Sequence, residues 1–106
     1  MDQIQYFPVC SIDDLPYGER LLIDLDHKPV VIFNLAGEYY AIDDVCTHDD
    51  GPLGEGEIDG CEIICPRHGA RFDIRTGKVM TLPAVQGVRA YPIRVKDGML
   101  EIGIEE

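Results

Sequence analysis

Cys46-Thr47-His48, sixteen further residues, then Cys65-Pro66-Arg67-His68 is the part of this 106-residue chain that decides how the rest is read. Two short segments each supply one thiol and one imidazole, at spacings C-x-H and C-x-x-H, so each can wrap one side of a compact inorganic centre. Soft thiolates combined with neutral imidazoles suit a transition metal or an iron–sulphur cluster. A structural zinc site accepts the same ligand types, but its usual spacings pair Cys with Cys and His with His, and neither pairing occurs here. A nucleophilic cysteine with a histidine base would have to explain two matched pairs, neither marked as the reactive one. A core reading would have to explain why two of the three histidines each follow a cysteine within three positions.

Followed by Gly69 and Phe72-Asp73, the pattern C-T-H, then C-P-R-H, resembles the Rieske family, and the flanking strand and turn pattern extends the likeness over most of the chain. The resemblance implies one [2Fe-2S] cluster, with Cys46 and Cys65 on one iron and His48 and His68 on the other. It implies an all-β fold, an antiparallel sandwich or barrel carrying an inserted cluster-binding subdomain of two ligand loops. Centres of this class have potentials of roughly −150 to +300 mV.

Charge explains the chemistry of such a ligand set. Two thiolates and two neutral imidazoles leave an oxidised two-iron centre with a net charge of about zero, whereas four thiolates leave it at about −2. An electron is therefore added more easily here than to an all-cysteine cluster, and the iron with only neutral protein ligands is expected to take it. Each imidazole has a second ring nitrogen whose proton affinity rises on reduction, so electron and proton uptake are expected to be linked at alkaline pH.

Working outward, a 45% apolar composition over this length fits one domain with a modest core, to which a bound cluster would add a cross-link. With the two candidate ligands set aside, only Cys10 and Cys61 remain, which is a poor disulfide framework; with no secretory signal, a reducing cytoplasm is expected. No apolar run approaches the length of a membrane span. The net charge of −11 argues against nucleic acid and anionic membranes as partners. That charge is lopsided: residues 1–60 hold fourteen Asp and Glu against Arg20 and Lys28, while residues 61–106 hold six acids against seven bases. The acidic half is a candidate steering surface for basic redox partners, or simply a solubilising one.

The pattern along the chain predicts short strands and tight turns. Tyr6 to Cys10 suits a first strand, and Ser11 caps a single turn that Pro16 ends. Leu21, Ile23 and Leu25 turn at Asp26-His27-Lys28 and return as Val30 to Phe33; Ala36-Gly37-Glu38 turns into Tyr39 to Ile42, which feeds the first ligand segment. Glu57 to Asp59 and Cys61 to Ile64 pair to deliver Cys65, after which Gly69 permits a left-handed turn. Arg71 to Ile74 and Lys78 to Met80 flank a turn at Thr76-Gly77, and Val88 to Val95 with Met99 to Ile104 forms a closing hairpin at Asp97-Gly98. The expected layout is a single domain, 1–106, with a base of 1–43 and 82–106 and a cluster-binding portion of 44–81. His27 is expected in solvent, Cys10 and Cys61 in the core, and Tyr39, Tyr40 and Tyr91 packed in the base. Pro66 is expected to stiffen its loop. By resemblance Leu53 and Pro83 shield the sulphides, in a proline loop over the cluster.

Departures from the family pattern indicate the branch. High-potential members carry an additional disulfide between the ligand loops, at positions that here are Gly51 and Arg67, and hydroxyls toward the sulphurs where this chain has Ala70 and Phe72. Losing those hydrogen bonds lowers the potential, and Asp43, Asp44, Asp49 and Asp50 act in the same direction against Arg67 and Arg71. A potential in the lower part of the class range is expected. The oxygenase subunits also need a mononuclear iron with two histidines and a carboxylate, and only His27 is left over. The resemblance therefore implies a small ferredoxin, not an enzyme: a monomer with no catalytic residues that moves electrons from a flavin-dependent ferredoxin reductase to a terminal Rieske oxygenase of an aromatic-ring dioxygenase system. The small subunit of assimilatory nitrite reductase and a zinc-bound interaction module are the competing readings.

Overall fold

Val30-Val31-Ile32-Phe33 is an unbroken apolar run, and all four side chains are fully buried, because both faces of the strand that holds them are covered. In a computed structural model of the chain, which describes residues 3–25, 27–45, 52–66, 69–81 and 86–105, this run lies in β3 (Lys28–Leu35). Successive side chains alternate faces. Val30 and Ile32 point into a core with Leu15, Ala41, Tyr91, Leu100 and Ile102. Val31 and Phe33 point into a second core with Ile42, Leu53, Ile63, Cys65, Ala70, Phe72 and Ile74.

The central sheet has the order β2 (Arg20–Leu25), β3, β4 (Glu38–Asp43), β8 (Ala90–Tyr91), with antiparallel pairing throughout. On one side of it lies the sheet β1 (Ile4–Ser11), β10 (Met99–Glu105), β9 (Ile93–Lys96), whose Leu100 and Ile102 fill the first core. On the other lies the sheet β5 (Glu57–Asp59), β6 (Glu62–Ile64), β7 (Arg71–Asp73), whose Ile63 and Phe72 fill the second. The all-β antiparallel class expected from the turn spacing is the class observed. β3 and β4 are thus gripped from two sides, and β4 ends at Asp43, three positions before Cys46 in the sequence.

Local chemistry explains most of the turns. Leu35 pairs with Glu38 and Lys96 with Met99, so each hairpin has a two-residue loop with both residues at positive φ: Ala36 (54°) with Gly37 (93°), and Asp97 (52°) with Gly98 (78°). That is the primed turn that matches strand twist. Ser11 caps the short 3-10 turn Ile12–Asp14, its side chain accepting from the Asp13 N–H at 3.2 Å.

Three local expectations are corrected. Val88 to Val95 is not one arm of a hairpin: the run divides at Pro92, so that Ala90–Tyr91 pairs with β4 and Ile93–Lys96 with β10. Proline has no N–H to continue a ladder, and its carbonyl instead accepts from Gly103 at 2.8 Å at the corner between sheets. Lys78 to Met80 contributes a single bridge, Val79 to Phe72, and no strand. Cys10 and Cys61 are half-buried rather than core residues, and both are free thiols. The first strand also runs longer than expected, with a bulge between Pro8 and Cys10 on an edge where a missing N–H is tolerated.

Candidate metal centre

Cys65 leaves the end of β6 with 1% of its surface exposed, and it forms no disulfide. Its N–H donates to the Ala70 carbonyl at 2.7 Å, and its carbonyl accepts from Gly69 at 3.0 Å. These two bonds close residues 65–70 into a tight loop whose return requires the positive φ of Gly69, 77°. Pro66 is exposed at its lip, while Arg67 and His68 lie outside the described residues. Cys65 and Pro66 also line an open surface hollow of about 390 Å³ with Glu55, Gly56, Glu57, Ile64 and Gly69.

The expected first ligand loop departs from β4 and rejoins the described chain at Pro52. Cys46 and His48 themselves lie outside the described residues, as do Asp49, Asp50, Gly51 and Pro83. What the structure does describe is how both ends of that loop are held. The Asp43 N–H donates to the Arg89 carbonyl and the Asp44 N–H to that of Pro29, each at 2.9 Å. The Asp44 carboxylate, buried at 8% exposure, accepts from the Leu53 N–H at 3.0 Å and from the Gly54 N–H through the same oxygen. From β2, the Arg20 guanidinium donates through one nitrogen to the carbonyls of Gly54 and Gly56, each at 2.6 Å, and stacks over Phe33 at 5.7 Å. Tyr91 donates its hydroxyl to Asp43 at 2.6 Å. Burial, reinforced by that bond and the Asp43 charge, pushes the Tyr91 phenol up to about 12.

The described surroundings change how the charges near the site are read. Asp43 and Asp44 are engaged as hydrogen-bond acceptors rather than standing free in a loop. Arg71, expected to offset the acids, is tied to Asp59 at 2.9 Å and Glu62 at 3.3 Å, and their hydrogen bonds hold its pKa above the ordinary value. Ala70 and Phe72, fully buried in the core that contains Cys65, present only carbon there. Leu53 is buried in the same core. Tyr91 and Tyr39 pack on the base core as expected, whereas Tyr40 packs against the second one. His27 is exposed in its turn.

Among the described residues no three His, Cys, Asp or Glu side chains converge as metal ligands; of the four expected ligands, Cys65 alone is described. Its environment fits an iron–sulphur centre: a buried, unpaired, soft donor with an apolar lining, in a closed loop next to an open hollow. From the sequence, neither Arg20 nor Asp44 is expected to have a role in holding the loop. Arg20 had one signal, as one of just two basic residues in the first sixty, whereas Asp44 was hidden in a run of acids that charge counting treats alike.

A family profile described as the Rieske [2Fe-2S] domain matches residues 5–92. The chain belongs to the Rieske [2Fe-2S] family. It is 40% identical over 99 residues to the 3-phenylpropionate/cinnamic acid dioxygenase ferredoxin subunit of Escherichia coli (strain K12), covering 92% of each chain. Among solved structures it resembles the ferredoxin of carbazole 1,9a-dioxygenase from Nocardioides aromaticivorans IC177, with TM-score 0.85, 33% identity and coverage of 92% and 95%. It likewise resembles a chain in a complex of reduced oxygenase and oxidised ferredoxin in carbazole 1,9a-dioxygenase, with TM-score 0.85, 28% identity and coverage of 92% and 91%. The cofactor of this Rieske domain is a Rieske-type [2Fe-2S] cluster, and its role is that of a ferredoxin, an electron carrier.

Proposed function

We propose that the chain carries single electrons from a flavin-dependent ferredoxin reductase to a terminal Rieske oxygenase acting on aromatic rings, and catalyses no substrate chemistry itself. Cys46 and Cys65 hold one iron and His48 and His68 the other. The observation that carries the reading is Cys65: a fully buried free thiol, on a loop closed by its own backbone, in a chain that matches dioxygenase ferredoxin subunits over nearly its whole length. When bound, the cluster supplies reversible one-electron uptake. The protein's part is to hold the ligands on supports that move little between redox states, and the doubly gripped β3 and β4 are suited to that.

Residues 1–43 and 82–106 act as a base and 44–81 as the cluster-binding portion of one domain. Support comes from the second core, in which side chains of the β5–β6–β7 sheet meet those of β3 and β4. The carrier is proposed to be a cytoplasmic monomer; among the described residues no helix is long and apolar enough to cross a membrane. The carbon-only lining at Ala70 and Phe72 supports a potential in the lower part of the class range.

Redox titration, reduced-state electron paramagnetic resonance and iron and labile-sulphide analysis of anaerobically purified protein test this together. A brown protein with about two irons and two sulphides per chain is expected. His48→Cys or His68→Cys is expected to lower the potential markedly and abolish its alkaline pH dependence, because a thiolate adds charge and removes the titrating nitrogen. A colourless zinc protein, or a cluster indifferent to both substitutions, would reject the ligand set.

A further inference from the structure

Arg20, on β2, and Asp44, just past the end of β4, grip the same short segment, residues 53–56, from opposite chemical sides. Asp44, at the exit of β4, accepts the N–H groups of Leu53 and Gly54. Arg20, on β2, donates to the carbonyls of Gly54 and Gly56. Between them they engage donors and acceptors of the segment 53–56, and little slack is left. A Cβ at Gly54 would lie 2.9 Å from both the Asp44 carboxylate and Leu22, and one at Gly56 would lie 1.8 Å from the Ile64 carbonyl. The same Ile64 precedes Cys65, so the clamped segment bears on both ligand-bearing stretches. Because Asp44 stands just before residues 45–52 and binds just after them, its carboxylate closes that loop at its neck.

We propose that Arg20 and Asp44 are positioning residues for the cluster, a clamp from the base that sets where the first ligand loop sits and thereby how firmly and with what geometry the iron is held. The inference rests on the assignment of Cys46 and His48 as ligands. Neither residue of the clamp is itself a ligand. Partners of this kind, one step removed from a metal, typically alter metal retention by about 10–100-fold, and a guanidinium between two carbonyls is a charge-assisted contact that a neutral side chain does not replace.

The test uses the cluster-loaded full-length protein, read by iron release into a chelator, the reduced-state paramagnetic resonance spectrum and thermal unfolding by circular dichroism. Arg94→Met is the control, since Arg94, like Arg20, donates to an oxygen acceptor, here Glu101, and stacks on an aromatic ring, Tyr6, but in the β1–β10–β9 sheet. Arg20→Met is expected to release iron about 10–100-fold faster and to change the spectrum, while Arg94→Met changes neither. Asp44→Asn, which keeps an acceptor oxygen in place, is expected to retain the wild-type spectrum, and Asp44→Ala to lose it. Arg20→Met or Asp44→Ala with lower thermal stability but unchanged spectrum and release would overturn the clamp and leave a merely structural role. Should Arg20→Met not fold, the Asp44 pair decides, and indistinguishable Asn and Ala variants overturn it. Cys46→Ser separates the two readings. If it keeps the wild-type spectrum, the ligand assignment fails; if it loses the spectrum while the clamp variants keep it, the clamp alone fails.

Discussion

Gly56 shows how little freedom a single position can have. With its Cβ site inside the Ile64 carbonyl's radius, Gly56→Ala must displace either the β5–β6 pairing or the clamped turn, at a cost of about 3 kcal/mol. Thermal unfolding of the loaded protein should show a large fall in Tm, and a variant as stable as wild type would contradict the described approach. Tyr91 makes a different kind of expectation. Its phenol is raised from an ordinary 10.0 to about 12 by burial and by Asp43, so its contribution is fully present below pH 10 and is lost as pH rises through about 12. Tyr91→Phe is expected to lose the bond to Asp43, about 1 kcal/mol at neutral pH, and to show a shallower decline in stability across that alkaline window. Denaturant midpoints from pH 8 upward measure it; equal slopes in both proteins would show that Tyr91 does not titrate there. The candidate ligands stood out in the sequence because spacing and chemical type coincide in them, and of the four the described residues include Cys65. Asp43, Asp44 and Arg20 did not stand out, since nothing in a one-dimensional string separates an acid that closes a loop from an acid in solvent.

The hairpins were readable because turn chemistry is local: a glycine beside a small or polar residue, between alternating apolar runs, determines the connection. Ala36 is the imperfect case. It sits at φ 54° without the side chain that favours that region, while the neighbouring Gly37 N–H is held by Asn34 at 2.8 Å. Ala36→Asn is expected to relieve about 1 kcal/mol of left-handed strain and to raise Tm by about 4–8 °C. A lower Tm would mean that Asn34 or Tyr17, which crowds Gly37, tolerates no larger neighbour. The split of the Val88 to Val95 run was less readable, although Pro92 marks it. Whether a proline ends a strand or merely sits at an edge depends on which sheet lies alongside, and that is not a local property.

Across the whole molecule the acidic balance of −11 should govern encounter more than residence. If the proposed reductase presents a basic face, its second-order reduction of this chain is expected to slow by roughly tenfold or more as salt rises from low values to about 0.3 M. Stopped-flow absorbance measures the rate, and one independent of ionic strength would assign the acids to solubility alone. By itself the sequence determined the class of fold and the chemistry of the centre: alternation and turn residues act over a few neighbours, and two Cys-His pairs at those spacings are a ligand pattern wherever they are placed. The tertiary structure alone decided that β3 and β4 form a wall shared by two cores, that Arg71 is ion-paired with Asp59 and Glu62, and that Arg20 and Asp44 meet on one segment. Those facts depend on contacts between residues far apart in the chain, which no local pattern encodes.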